Sequence, residues 1–329
     1  MLISIAQLIG GFILRVWGAD RLVAGASALA RNLGVSPLII GLTIVAFGTS
    51  APELVGSGVA AYRGNPGLAV GNAIGSNIAN IGLILGLTAI VYPLKVESET
   101  LKREYPLLML IMIASFIMAG DLVYDRTEGW LLLTGLGALI IWMVRFGLRR
   151  DPNDPLAEEF AAEIPTDMPT VYAVFWLLVG LIILPISSRF LVEGAVYIAR
   201  SLEVSEAVIG LTILAFGTSL PELAAALTSA LREEDDLAIG NVIGSNMFNI
   251  LGVLGIAAVI NPVDVELLML KQDFPVMFLF TVMLFFMAYG LNGPGKISRR
   301  SGILLLSLFC AYQVVVWVTA APHLPGSNG

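Results

Sequence analysis

Long apolar stretches alternate with short polar breaks along the whole chain. They run roughly over 2–30, 37–62, 67–91, 105–122 and 128–148, then over 171–199, 206–231, 237–260, 273–290 and 301–320. Most are near the ~20 apolar residues a helix needs to cross about 30 Å of hydrocarbon. Backbone in lipid must satisfy its own hydrogen bonds, so each stretch is expected to be helical. The pattern predicts an all-α integral membrane protein with ten transmembrane helices.

The stretches fall into two copies of one unit. GLTIVAFGTSAPEL at 41–54 returns as GLTILAFGTSLPEL at 210–223, with 12 of 14 positions identical at an offset of 169. At the same offset GNAIGSNIAN at 71–80 returns as GNVIGSNMFN at 240–249, with 7 of 10 matching. Arg31 with Arg200, Pro93 with Pro262, Lys102 with Lys271 and Pro106 with Pro275 keep the register. A shared register over so long a stretch marks the halves as duplicates. Five spans per copy is odd, so the second copy enters the membrane from the opposite side, giving two inverted five-helix repeats. The expected organisation is a first half at 1–150, an acidic cytoplasmic linker at 151–168, and a second half at 169–329.

Composition agrees with a membrane protein. Of the 329 residues 57% are hydrophobic and 13% charged, against about a quarter charged in a soluble domain. The formal net charge of −7 argues against nucleic-acid binding. A single cysteine, Cys310, excludes an intramolecular disulfide and a cysteine-built metal site. The one histidine, His323, is read as a residue of the C-terminal tail. No cleavable signal peptide is evident, because the first apolar stretch lacks a basic leader. With the N-terminus outside, eleven Lys and Arg fall in cytoplasmic loops against four in external ones. The positive-inside rule then places both termini on the extracellular or periplasmic side of the cell (inner) membrane. Arg15, Arg21 and Arg189 lie within long first spans and were not counted.

Candidate chemistry centres on two charges. Glu53 is the only ionisable residue between Arg31 and Arg63, and Glu222 has the same setting between Glu206 and Arg232. A charge at membrane depth costs at least ~2.5–3.5 kcal/mol and needs a partner or a cavity. Neither motif carries a lysine or arginine, so a bound cation is the expected partner. Pro52 removes a donor and is expected to free the Gly48 carbonyl and kink the helix, with Pro221 and Gly217 repeating the arrangement. Thr49, Ser50, Thr218 and Ser219 add hydroxyls beside the glutamates.

The second motif adds oxygens. Asn72, Ser76 and Asn80 share a helix face, as do Asn241, Ser245 and Asn249. For Asn72, Asn77, Asn241 and Asn246, ligation and interhelical hydrogen bonding are both open. Gly71 with Gly75, and Gly240 with Gly244, are spaced for close helix approach. An all-oxygen set suits hard cations such as Ca²⁺, Na⁺ or Mg²⁺ and disfavours transition metals. Two carboxylates carry −2, which balances one Ca²⁺ or is shared among several Na⁺ ions.

The paired GTSxPE and GNxxGSNxxN motifs resemble the α-repeats of the cation/Ca²⁺ exchanger superfamily, specifically prokaryotic Na⁺/Ca²⁺ exchangers, over essentially the whole chain. The resemblance implies that Glu53 and Glu222 chelate Ca²⁺, helped by backbone oxygens of Thr49 and Thr218. It implies one Na⁺ site from Glu53, the Ala215 carbonyl, Thr218, Ser219 and Ser245. Its mate would use Glu222, the Ala46 carbonyl, Thr49, Ser50 and Ser76, with Asn80 and Asn249 at the centre. It further implies alternating access by sliding of the first and sixth spans across the rest. Asn at 249, where some relatives carry Asp, argues against K⁺ co-transport.

The expected activity is secondary antiport of Na⁺ against Ca²⁺, with Ca²⁺/H⁺ exchange as the alternative because protons discharge the same glutamates. The expected partners are Ca²⁺, Na⁺ (or H⁺) and the lipid bilayer, with no obligate protein partner, nucleic acid or resident cofactor. An enzyme is not expected. There is no HExxH motif, and no intramembrane lysine is placed to activate a serine. A passive channel differs in predicting transport without a counter-ion.

Overall fold

The computed structural model describes residues 2–35, 40, 46–96, 99–147, 164–201, 204–232, 235–289 and 295–320. Its helices are α1 (Leu2–Asn32), α2 (Ala46–Tyr62), α3 (Pro66–Val91), α4 (Glu99–Met118), α5 (Arg126–Gly147) and α6 (Thr170–Ser201). They continue as α7 (Glu206–Leu231), α8 (Asp235–Phe248, Asn249–Leu254 and Gly255–Ile260), α9 (Met269–Asp273 and Phe274–Tyr289) and α10 (Arg299–Ala320). Among the described residues, eight helices are long and apolar enough to cross a membrane, namely α3 to α10. Helix α1 carries Arg15, Asp20 and Arg21 in its middle, and the residues preceding α2, 41–45, lie outside the described set. The linker residues 151–163 and His323 also lie outside it.

Helices α3, α7 and α8 are mostly buried, whereas α4, α5, α6, α9 and α10 expose broad apolar faces. The core is aliphatic, built around Ile74, Ile78, Ile81, Ile243, Met247 and Ile250. Close approach explains two of the motif glycines. A Cβ on Gly71 would collide with the Ala207 carbonyl, and one on Gly75 would lie 2.7 Å from Leu211 Cα, so α3 rests directly on the backbone of α7. For Gly244 no close contact is present among the described residues. The counterparts of the Leu211 and Ala215 contacts of Gly75, namely Leu42 and the Ala46 side chain, lie outside the described set.

Helices α1 and α6 form an antiparallel pair whose contacts exchange under the 169-residue offset. Gly11 meets Leu191 while Gly180 meets Leu22; Gly25 meets Ala173 and Leu177 while Gly194 meets Ser4 and Leu8. Glycines fourteen residues apart, close to four helical turns, share a helix face, and without side chains they let backbones touch. Hydrogen bonds anchor the C-terminal end of α1: Arg31 Nη1 donates to the Pro165 carbonyl at 3.1 Å and Asn32 Nδ2 to the Met168 carbonyl at 3.0 Å. At the opposite end Arg63 pairs with Glu193 of α6 at 2.6 Å. The expected pairs Arg189–Glu193 and Asp20–Arg21 are both present, at 3.1 and 3.5 Å.

Two short antiparallel ladders close the ends of the bundle. β1 (Leu94–Val96) pairs with β4 (Gly295–Ile297), and β2 (Val123–Tyr124) pairs with β3 (Val263–Asp264). Each joins a loop of the first half to a loop of the second. In both cases, strict alternation of ten spans would put the two partners on the same side of the membrane.

Candidate functional site

The local backbone differs between the two glutamate motifs. Helix α2 runs unbroken through Pro52, since a mid-helix proline forfeits one hydrogen bond but does not oblige the chain to unwind. In α7 the helix breaks at Ser219 (φ −84°, ψ 1°) and resumes at Leu220, with Pro221 in the first turn, where its missing N–H costs nothing. Glu222 therefore sits in the first turn of a new helix. The glycines before each glutamate make room for α1: a Cβ on Gly48 would collide with Val23, and one on Gly217 with Phe12.

Glu53 and Glu222 are buried, 1% and 2% exposed, and near enough for their charges to interact. The Thr218 hydroxyl donates to Asn72 Oδ1 at 3.1 Å, lies 3.4 Å from Ser76 Oγ, and also approaches Glu53. Side chains from α2, α3 and α7 thus converge, as the sequence suggested. Ser50, Ser219 and Ser245 are buried as well. The Ala215 carbonyl is engaged by Ser219 N–H at 3.1 Å and Thr218 Oγ1 at 3.4 Å. Ala46 and Thr49 lie in α2, but their side chains fall outside the described set.

The asparagines settle into two roles. Both α3 and α8 contain one wide π turn, at Asn80–Leu85 and Asn249–Leu254, which open on equivalent asparagines. Such turns shift the helix face by a residue and recur at functional sites. Asn80 Nδ2 donates to Asn246 Oδ1 at 2.9 Å, and Asn249 Nδ2 donates to Asn77 Oδ1 at 3.1 Å. Asn77 and Asn246 thus take the interhelical role, and they hold the amide groups of Asn80 and Asn249 by their nitrogens. The Asn80 and Asn249 Oδ1 atoms are left buried without a hydrogen-bond partner among the described residues. Glu53 Oε2, Glu222 Oε2 and Ser50 Oγ share that condition. Unpaired buried acceptors are costly, and a hard cation is the group that several can serve at once.

One charge was missed. Arg15 of α1 is 2% exposed, and its charge acts on both Glu53 and Glu222. The expectation that only a bound cation can face the glutamates is therefore incomplete. An arginine in mid-span was signal enough, because intramembrane charges are rarely idle. A further buried carboxylate, Asp273 of α9, accepts from Tyr312 at 2.9 Å and has a structural partner.

The fold and site define a multi-pass, all-helical membrane protein with a buried, oxygen-lined polar centre. A family model described as sodium/calcium exchanger protein matches residues 3–146 and 172–318, and the chain belongs to that family of membrane antiporters. It is 47% identical to a putative antiporter, CaxA, of Alkalimonas amylolytica over 96% of this chain and 99% of that one. It is 41% identical to the inner membrane protein YrbG of Escherichia coli K12, over 96% and 98% of the two chains. Among solved structures, it matches the sodium-calcium exchanger NCX_Mj soaked with Na⁺ and Sr²⁺ at a TM-score of 0.65 and 34% identity, covering 94% of this chain and 97% of that one. The protein is a cation/Ca²⁺ antiporter, and its family is one of transporters rather than enzymes.

Proposed function

We propose that the chain exchanges Na⁺ for Ca²⁺ by alternating access through one midplane site built around Glu53 and Glu222. The observation that carries this is a pair of buried carboxylates near enough to interact, in a core that also buries the Ser50, Asn80 and Asn249 oxygens without hydrogen-bond partners among the described residues. Thr49, Ser76, Ala46, Thr218, Ser219, Ser245 and Ala215 complete the proposed cation ligands, drawn from the same two motifs. Competition of Ca²⁺ with Na⁺ for these oxygens couples the two fluxes. The ions are cargo, and no resident cofactor is invoked.

The architecture we propose is ten transmembrane helices in two inverted repeats, 1–150 and 169–329, joined by the acidic cytoplasmic linker 151–168. The exchanging contacts of α1 with α6, the equivalent π turns and the paired loop ladders support it. Both termini face outward, a reading supported by the distribution of Lys and Arg, and the cell (inner) membrane is supported by the similarity to the inner membrane protein YrbG.

Proton coupling is the second reading, because the glutamates are the groups a proton would discharge. Proteoliposomes separate the two. An imposed Na⁺ gradient is expected to drive ⁴⁵Ca²⁺ uptake whether or not a pH gradient is present. Uptake that ignored Na⁺ and followed the pH gradient would transfer the assignment to Ca²⁺/H⁺ exchange.

A further inference from the structure

We propose that Arg15 is a tethered counter-cation, which competes with the transported ions for Glu53 and Glu222 and sets how tightly a divalent ion is held. This rests on the site proposed above. The guanidinium is buried in α1, and its Nε, Nη1 and Nη2 have no hydrogen-bond partner among the described residues. Its seat is Gly56, three residues beyond Glu53: a Cβ there would collide with Nη2 and lie 2.8 Å from Cζ. The charges that act on it are those of Glu53 and Glu222. A buried guanidinium without hydrogen bonds persists in a membrane interior only if opposite charge offsets its desolvation.

The sequence supports a purpose-built seat. At the 169-residue offset Arg15 corresponds to Leu184 and Gly56 to Ala225, so the charge and the small residue that admits it occur together in the first copy and are absent together from the second. The counter-charge thus enters from one side of the site only, on the helix that crosses both motifs through Phe12 and Val23.

Charge arithmetic gives the consequence. Two carboxylates and Arg15 sum to −1, so one monovalent cation neutralises the centre, whereas one Ca²⁺ leaves it at +1. Arg15 therefore weakens divalent binding relative to monovalent binding and eases Ca²⁺ release. A neighbouring charge of this kind alters proton affinity of a carboxyl by roughly ten- to a thousandfold, and a divalent cation feels it at least as strongly.

The test is equilibrium ⁴⁵Ca²⁺ binding to the full chain in nanodiscs, without Na⁺ and at fixed pH. Arg15→Gln is expected to bind Ca²⁺ about tenfold or more tightly, while Arg15→Lys, which keeps the charge, stays within about threefold of the unmodified protein. If Arg15→Gln does not yield monodisperse protein, Arg15→Met carries the same expectation. Unchanged or weaker Ca²⁺ binding in the neutral variant overturns the proposal, as does equal tightening in Arg15→Lys. The double variant Glu53→Gln, Glu222→Gln separates the two readings. If it still binds Ca²⁺, the site itself is wrong; if it does not and Arg15→Gln fails to tighten binding, only the counter-cation is wrong.

Discussion

Asn77 and Asn246, 169 residues apart, each donate a side-chain amide to the other's backbone carbonyl, at 3.3 and 3.5 Å. The exchange places one residue from each copy on either side of a local two-fold axis between α3 and α8. Their side-chain oxygens then accept from Asn249 and Asn80. Four asparagines thus form a cross-brace that turns two free oxygens, one from each copy, away from the brace.

Replacing either brace residue should cost stability before it costs chemistry. Asn77→Ala leaves the amide nitrogen of Asn249 without its partner in a buried setting, a loss on the order of 1–3 kcal/mol per stranded group. Asn246→Ala does the same to Asn80. Thermal unfolding in detergent should show both variants melting below the unmodified protein by a similar margin. A large difference between them would mean that the two-fold arrangement does not carry the load equally.

The α1/α6 seam makes a second test with an internal control. Gly25→Ala drives a Cβ into Leu177 N and to 2.6 Å from the Ala173 carbonyl, against backbone that has no easy way to yield. Overpacking of this kind costs about 1–3 kcal/mol. At Gly10 nothing among the described residues lies within 4 Å of the new Cβ, so Gly10→Ala should be neutral or slightly stabilising, since alanine favours helix by up to about 1 kcal/mol over glycine. Melting temperatures of the two variants should fall on opposite sides of, or at least well apart about, the parent value. Equal behaviour would contradict the close approach of the two helices.

Eight of the ten expected spans, and the repeat in the sequence, were legible because both are periodic signals: hydrocarbon thickness sets the length of one, and duplication sets the register of the other. The Glu53 and Glu222 motifs stood out because a charge in an apolar stretch is costly without a partner or a cavity. Features that break the repeat were not legible in this way. Arg15 faces Leu184 across the offset, so a search for matched residues passes over it. The choice between ligation and bracing for Asn77 depended on which neighbour its amide meets, a tertiary fact that helical spacing cannot decide. Pro52 and Pro221 look alike in sequence, yet only the second follows a break, at Ser219. The seam glycines, by contrast, were visible: Gly11 with Gly180 and Gly25 with Gly194 keep the offset, but lie in a stretch where little else does.

The central claim is that Glu53 and Glu222 are two halves of one cation site. The most direct measurement is Na⁺-gradient-driven ⁴⁵Ca²⁺ uptake into proteoliposomes by Glu53→Gln and by Glu222→Gln, each made singly and reconstituted at equal density. Glutamine keeps the volume and one oxygen but removes the charge, so a shared site predicts that each single variant loses uptake to the level of protein-free vesicles. Substantial Na⁺-driven uptake by either variant would contradict it, since one carboxylate would then suffice.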